Sequence, residues 1–217
     1  MRVSFNEIDT TTKKAFRGAG YYWGEAEEAG KAAVWLARHG LFGGSQVLSL
    51  LQYADQHGAA SLRPLVSDRQ WRATGSKLCP ICTGIALVDV SGRLNPGDRL
   101  DMSNLLSPVL LLPFAIAGSA AVGLPVMISW TDCRVIADKT RILSDNLAGL
   151  ASASGDVKLH VMPSEPVPAW PALEQIQTVE VDSASWTELH RFAHRTYVPA
   201  SEQSRSAGAG AGLSDND

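Results

Sequence analysis

The chain has no block of like charge anywhere: 19 basic and 22 acidic side chains are interspersed along 217 residues, for a net of −3. A nucleic-acid footprint gathers Lys and Arg on one face, so this balance argues against nucleic acid as a partner. Cysteine is scarce as well. Three thiols are an odd number, and with no export signal in sight a disulfide framework is not expected. The opening MRVSFNEIDTTTKK carries Glu7 and Asp9 where a signal peptide needs an apolar stretch. The longest apolar run, LLSPVLLLPFAIAGSAAVGLPVMISW, is interrupted by Pro108, Pro113, Gly118, Gly123 and Pro125, which a membrane-spanning helix tolerates poorly. A cytoplasmic protein that neither spans nor binds a membrane is the expectation. No G-x-S-x-G nucleophile elbow, second Cys pair or glycine fingerprint after a strand is present, so neither a cofactor nor a bound metal is expected.

What is present sorts into two regions of one cooperative domain: a helical part over residues 1–60 and an α+β body over residues 61–217. Ser4 with Glu7 makes a capping box ahead of Phe5, Ile8, Ala15 and Phe16, and that helix stops at Gly18 and Gly20. A second helix is expected over residues 24–39, acidic at its start and basic at its end, with Gly40 as left-handed cap. A third, over residues 45–56, places Val47, Leu48, Leu51 and Ala54 on one stripe. Beyond it, TGIALVDV, GRLNPGD, VMISWTDCRVIADKTRIL and SASGDVKLHVM read as strands and turns. No regular alternation of strand and long helix appears, so the fold class is α+β: an N-terminal helical region on a mostly antiparallel sheet. MPSEPVPAWPA is expected to cross the surface extended, VEVDS to form a brief strand, and Ser185 with Glu188 to cap a last helix over residues 186–196. A Gly-rich segment closes the chain.

Five constellations can carry chemistry. GAGYYWG, residues 18–24, has the wrong spacing for a dinucleotide loop and reads as a tight interhelical turn; Tyr21, Tyr22 and Trp23 serve packing or a ligand platform. CPIC, residues 79–82, is a single Cys-x-x-Cys. Zinc would need two more ligands from Cys133, His160, His190 or His194, and a redox pair belongs at a helix N-terminus after a strand, whereas strand-like residues follow it here. Two buried free thiols are the favoured reading of Cys79 and Cys82, with zinc and redox chemistry left open.

His190 and His194 stand four apart and share one helix face, from which they could pinch a metal with Glu202 or Asp215. Arg191 and Arg195 beside them oppose a divalent ion, and a basic, solvent-facing helix is the preferred reading. Asp132 is placed near a strand end, as a general acid or base or as a turn residue. In SEQSRSAGAGAG, Gly208, Gly210 and Gly212 allow the backbone close to a ligand, while Arg205, flanked by Ser201 and Ser204, offers a fork for a carboxylate.

The stretches VSFNEIDTTTKKAFRGAGYYWGEAEEAGKAAVWL and TYVPASEQSRSAGAGAGLSDND together resemble a bacterial family described only as carrying a domain of unknown function. The resemblance brings no reaction, cofactor or catalytic residue. It implies that the Gly-rich segment belongs to the protein, and it suggests a setting in small-molecule catabolism. The leading expectation is therefore a metabolic enzyme, hydrolase- or lyase-like, acting on a polar carboxylated or amide-containing metabolite. Arg205, Ser201, Ser204 and the glycines would bind the anionic substrate, and Glu202, Asp132, His190 or His194 would move the proton. A non-catalytic accessory or ligand-binding subunit is the alternative, and self-association stays open.

Overall fold

The computed structural model describes residues 1–131, 133–151, 154–163 and 167–197. In chain order its elements are β1 (Arg2–Val3), α1 (Phe5–Gly18), α2 (Trp23–Arg38), α3 (Ser45–His57), β2 (Pro64–Leu65), β3 (Gln70–Ala73), α4 (Pro80–Ser91), β4 (Arg99–Leu106), α5 (Leu112–Val122), β5 (Val126–Trp130), β6 (Cys133–Asp138), β7 (Arg141–Ser144), β8 (Ser154–Val161), β9 (Val179–Glu180) and α6 (Ser183–His194). This is an α+β fold. Seven strands form one sheet in the order β2-β3-β4-β8-β5-β6-β7, in which only β3 and β4 run parallel. A two-stranded antiparallel sheet pairs β1 with β9.

Local chemistry builds the N-terminal helices. Ser4 Oγ accepts from Glu7 N while Glu7 Oε2 accepts from Ser4 N at 2.7 Å, closing the capping box at the head of α1. α1 and α2 end identically. Gly20 N donates to Arg17 O and Tyr21 N to Phe16 O; after α2, Gly40 N donates to Ala37 O and Leu41 N to Leu36 O. Both are Schellman closures, and both need the left-handed φ of +90° at Gly20 and +69° at Gly40.

Three boundaries differ from expectation. The stretch TGIALVDV is helical: α4 begins at Pro80, the first helical position, where a missing N–H costs nothing; its buried side packs on α2, α5 and β2, and apart from Asp89 its half-exposed residues Ile85, Ala86, Val88 and Val90 are apolar too, so no polar face reveals a helical period. The last helix starts at Ser183, because Asp182 rather than Ser185 is its cap, accepting from Ser185 N at 2.8 Å. In α3 the buried stripe is Val47, Leu50, Leu51 and Ala54, with Leu48 only half-buried.

The broken apolar run resolves into a strand end and α5, and among the described residues no helix is long and apolar enough to cross a membrane. One face of the sheet is apolar and buried, carrying Leu100, Met102, Val126, Ile128, Val157 and Leu159; α5 packs against β5, β6 and β7. Alternate residues of β4, β5 and β8 face the other way.

A thiol pair at the N-terminus of a buried helix

Leu78 forms a single parallel bridge to Leu105 of β4, and the chain then turns into α4 with Cys79 as its cap in extended conformation. CPIC therefore sits where a bridge to the sheet passes into a helix, which removes the sequence-based objection to redox chemistry. Cys79 N donates to Leu62 O at 2.9 Å, and Cys79 O accepts the first helical bond, from Thr83 N, at 2.9 Å. Both thiols are free and buried: Cys79 is 0% exposed and Cys82 6%.

Three groups from elsewhere in the chain converge on the pair. Glu25, in the first turn of α2, accepts from Cys82 Sγ at 3.5 Å. The same carboxylate caps its own helix, with Oε2 at 2.7 Å from Tyr22 N, and is held by Arg63 through a two-point contact, Nε to Oε1 at 2.7 Å and Nη2 to Oε2 at 3.0 Å. Tyr21 is completely buried, and its hydroxyl has no hydrogen-bond partner of normal geometry. The aromatic trio thus divides: Tyr21 joins the core, while Tyr22 and Trp23 are 66% and 62% exposed. The Arg63 guanidinium lies 4.3 Å above the Tyr22 ring and Arg17 lies 4.8 Å above that of Trp23.

These contacts separate the two thiols electrostatically. Burial pushes the Cys79 thiol up, but the Cys82 side chain, the Cys82 and Ile81 N–H groups and the Tyr21 hydroxyl outweigh it, so Cys79 sits below the ordinary thiol range. Cys79 stands at the positive end of α4, where the helix dipole favours a thiolate, although its sulfur makes no capping hydrogen bond. Cys82 is displaced upward by its hydrogen bond to Cys79, by burial and by the nearby charges of Cys79 and Glu25. Burial raises Glu25 too, yet the Arg63 and Tyr22 contacts hold its carboxyl below the usual range. Burial and the adjacent sulfurs push Tyr21 up, so its hydroxyl stays protonated. The third cysteine, Cys133, is buried beside Ser144 and Asn146, and burial pushes its thiol up.

The other sequence-derived candidates lie elsewhere. His190 and His194 are both exposed on α6; His190 packs edge-on against Trp186 and His194 against Tyr197. His190 also lines a cavity of about 230 Å³ with Glu7, Thr10, Lys14 and Tyr197, where Lys14 Nζ reaches Tyr197 Oη at 3.1 Å. The flanking arginines are engaged, Arg191 with Glu188 and Arg195 with Asp55. Among the described residues no cluster of His, Cys, Asp and Glu has a geometry suited to a metal ion. Asp132, Ser201, Glu202, Ser204, Arg205, Gly208, Gly210, Gly212 and Asp215 fall outside the described residues. Sequence reasoning found CPIC and the YYW turn but not Glu25 or Arg63, which are 57 and 19 residues from Cys82. Pro80 directly after Cys79 was the one local sign of a helix start.

Residues 3–79 match the model of a family described as a protein of unknown function, DUF3726. Tyr21, Glu25, Arg63 and Cys79 lie within the matched span, and Cys82 lies three residues past it. No curated protein matches the chain. Among solved structures, the malate dehydrogenase from Entamoeba histolytica is similar at 8% identity and a TM-score of 0.44, over 68% of this chain and 47% of the dehydrogenase. The chain spans about half the length of that enzyme, and a likeness so distant says nothing about chemistry.

Proposed function

We propose that the Cys79–Cys82 pair is a redox-active dithiol that closes to a disulfide across the first turn of α4. The observation that carries the reading is the joint placement of Cys79 as helix cap and Cys82 against a carboxylate that Arg63 holds ionised. Because Cys79 is fully enclosed, the oxidant that suits it is no larger than hydrogen peroxide. The Cys79 thiolate attacks one peroxide oxygen, the O–O bond breaks, and the departing hydroxide takes a proton to leave as water, with Cys79 as sulfenic acid. Cys82 loses its proton to Glu25 and displaces the sulfenic oxygen as a second water, forming the S–S bond. Two thiols are oxidised and one peroxide is reduced to two waters.

The test is intact-mass analysis of the reduced full chain after titration with hydrogen peroxide. Wild type is expected to lose two hydrogens, about 2 Da, while Cys82→Ser stops at the sulfenic acid, about 16 Da heavier and trapped by dimedone. Cys133→Ser should behave like wild type. If the wild-type chain keeps all its thiols at peroxide levels that oxidise an unfolded control, or if closure needs Cys133, the reading fails.

A second reading keeps the metabolic enzyme expected from the sequence, hydrolytic or eliminative, acting on a polar carboxylated or amide-containing substrate. The cavity beside His190 supports it, since an imidazole and the Lys14 ammonium line it together. Arg205 and Glu202, which lie outside the described residues, are the further groups this reading invokes. Truncation after Val198 and, separately, His190→Gln should each abolish the stabilisation that a carboxylate metabolite confers in a thermal-shift screen. Unchanged ligand stabilisation in both variants would remove this reading.

A further inference from the structure

The open face of the sheet carries a second, separate constellation. In the register of β4, β8 and β5, Arg99 stands opposite His160 and His160 opposite Met127; one pleat on, Asp101 stands opposite Lys158 and Lys158 opposite Ser129. Side chains two apart along a strand share a face, so all six project together, away from the buried Leu100, Val157 and Ile128. Directly opposed side chains have their Cβ atoms about 5 Å apart and diagonal ones about 7 Å, so the six converge on one spot. A cavity of about 380 Å³ lies over that spot and is lined by these residues.

Its charges are not balanced from within. Among the described residues no ion pair engages Arg99, Lys158 or Asp101, although Lys158 and Asp101 are cross-strand neighbours. Of the surrounding charges, Arg69 holds Asp98 and Arg134 holds Asp145, while Asp156 Oδ1 accepts from Asn104 N and lies outside the cavity lining. Arg99 and Lys158 are diagonal neighbours across β4 and β8, a juxtaposition that like-charge repulsion disfavours unless a counter-charge is supplied. Within the lining two cations, Arg99 and Lys158, face a single carboxylate, Asp101.

We propose that this face binds a small organic anion, carboxylate or phosphate. Arg99 offers two parallel N–H donors and Lys158 a point charge, with Ser129 and His160 as hydrogen-bonding partners. Met127 lies along one side against the carbon skeleton. Asp101 repels a second anionic group and accepts from a hydroxyl or ammonium of the ligand, which sets its orientation. The site is independent of the thiol pair and shares no residue with it.

Isothermal titration of the full chain with succinate, inorganic phosphate and the neutral succinamide tests the proposal. One of the two anions is expected to bind, its affinity falling as salt is raised, and succinamide is expected not to bind; which anion binds distinguishes carboxylate from phosphate recognition. Arg99→Gln and Lys158→Gln should each weaken that anion about tenfold or more, the scale of a lost charge-assisted hydrogen bond, and Asp101→Asn should not weaken it. All three side chains are exposed, so thermal unfolding of the variants should match wild type and keep the comparison interpretable. The proposal is overturned if neither anion binds, if both Gln variants bind as wild type does, or if a single-stranded oligonucleotide outcompetes the small anions.

Discussion

Replacing Arg63 by Met is expected to cost about 1.5–3 kcal/mol at neutral pH, the scale of a hydrogen bond to a charged group, since the Arg63 side chain is itself 28% exposed. Glu25 is the reason. Its side chain is only 14% exposed, and without the guanidinium the remaining contacts are Tyr22 N–H and the Cys82 thiol. In wild type the folded carboxyl lies below its ordinary value, so its contribution to stability is present above the unfolded pKa and is lost as pH falls through the lower folded value. In the variant, burial prevails and the folded value rises. Stability is then greatest at acid pH, where Glu25 is neutral, and declines as pH rises through the new value. The penalty measured by denaturant unfolding should therefore be large at pH 7 and shrink toward pH 4. A penalty that does not change with pH would place the loss in the stacking of the guanidinium on Tyr22 and not in its pairing with Glu25. Adding Glu25→Gln to the variant should recover part of the stability at pH 7, because it removes the stranded carboxylate.

Gly18→Ala is expected to destabilise the protein by about 3 kcal/mol, at the upper end for an overpacked contact. An added Cβ at Gly18 would overlap Phe192 O of α6 and press on the Arg195 Cβ. A flexible side chain can step aside, but a carbonyl held in a helix cannot, so α1 and α6 must separate along their shared face. Gly24→Ala is the matched control: nothing lies within 4 Å of its added Cβ, and it sits in the first turn of α2. That change should be neutral or stabilising by up to about 1 kcal/mol, as Ala outranks Gly in a helix. Equal melting temperatures for the two variants would mean that α6 does not dock on α1 as described.

Where local rules suffice, the sequence was read correctly. The Ser4–Glu7 box and the glycines at 20 and 40 act within five residues of chain, so their geometry is written in short stretches. The β5–β6–β7 meander was legible for the same reason. Thr83 to Val90 was not. Its half-exposed residues Ile85, Ala86, Val88 and Val90 are as apolar as its buried ones, and such a pattern cannot be told from that of a buried strand. Asp182 and Ser185 are both good cap residues, and the choice between them depends on where the pairing of β1 with β9 releases the chain. Leu48 and Leu50 flank the same stripe of α3, and only the position of the neighbouring elements decides which of them is covered.

By itself the sequence determined the α+β class, the capped N-terminal helices and the presence of a lone CPIC pair, because each follows from composition or from spacing within one element. Tertiary structure alone decided that Cys79 heads a helix, that Glu25 and Arg63 meet Cys82, and that Arg99, Lys158 and His160 share one concave face. Those facts depend on contacts across 19 to 61 residues of chain and on strand register, and no local rule of propensity, capping or periodicity encodes either.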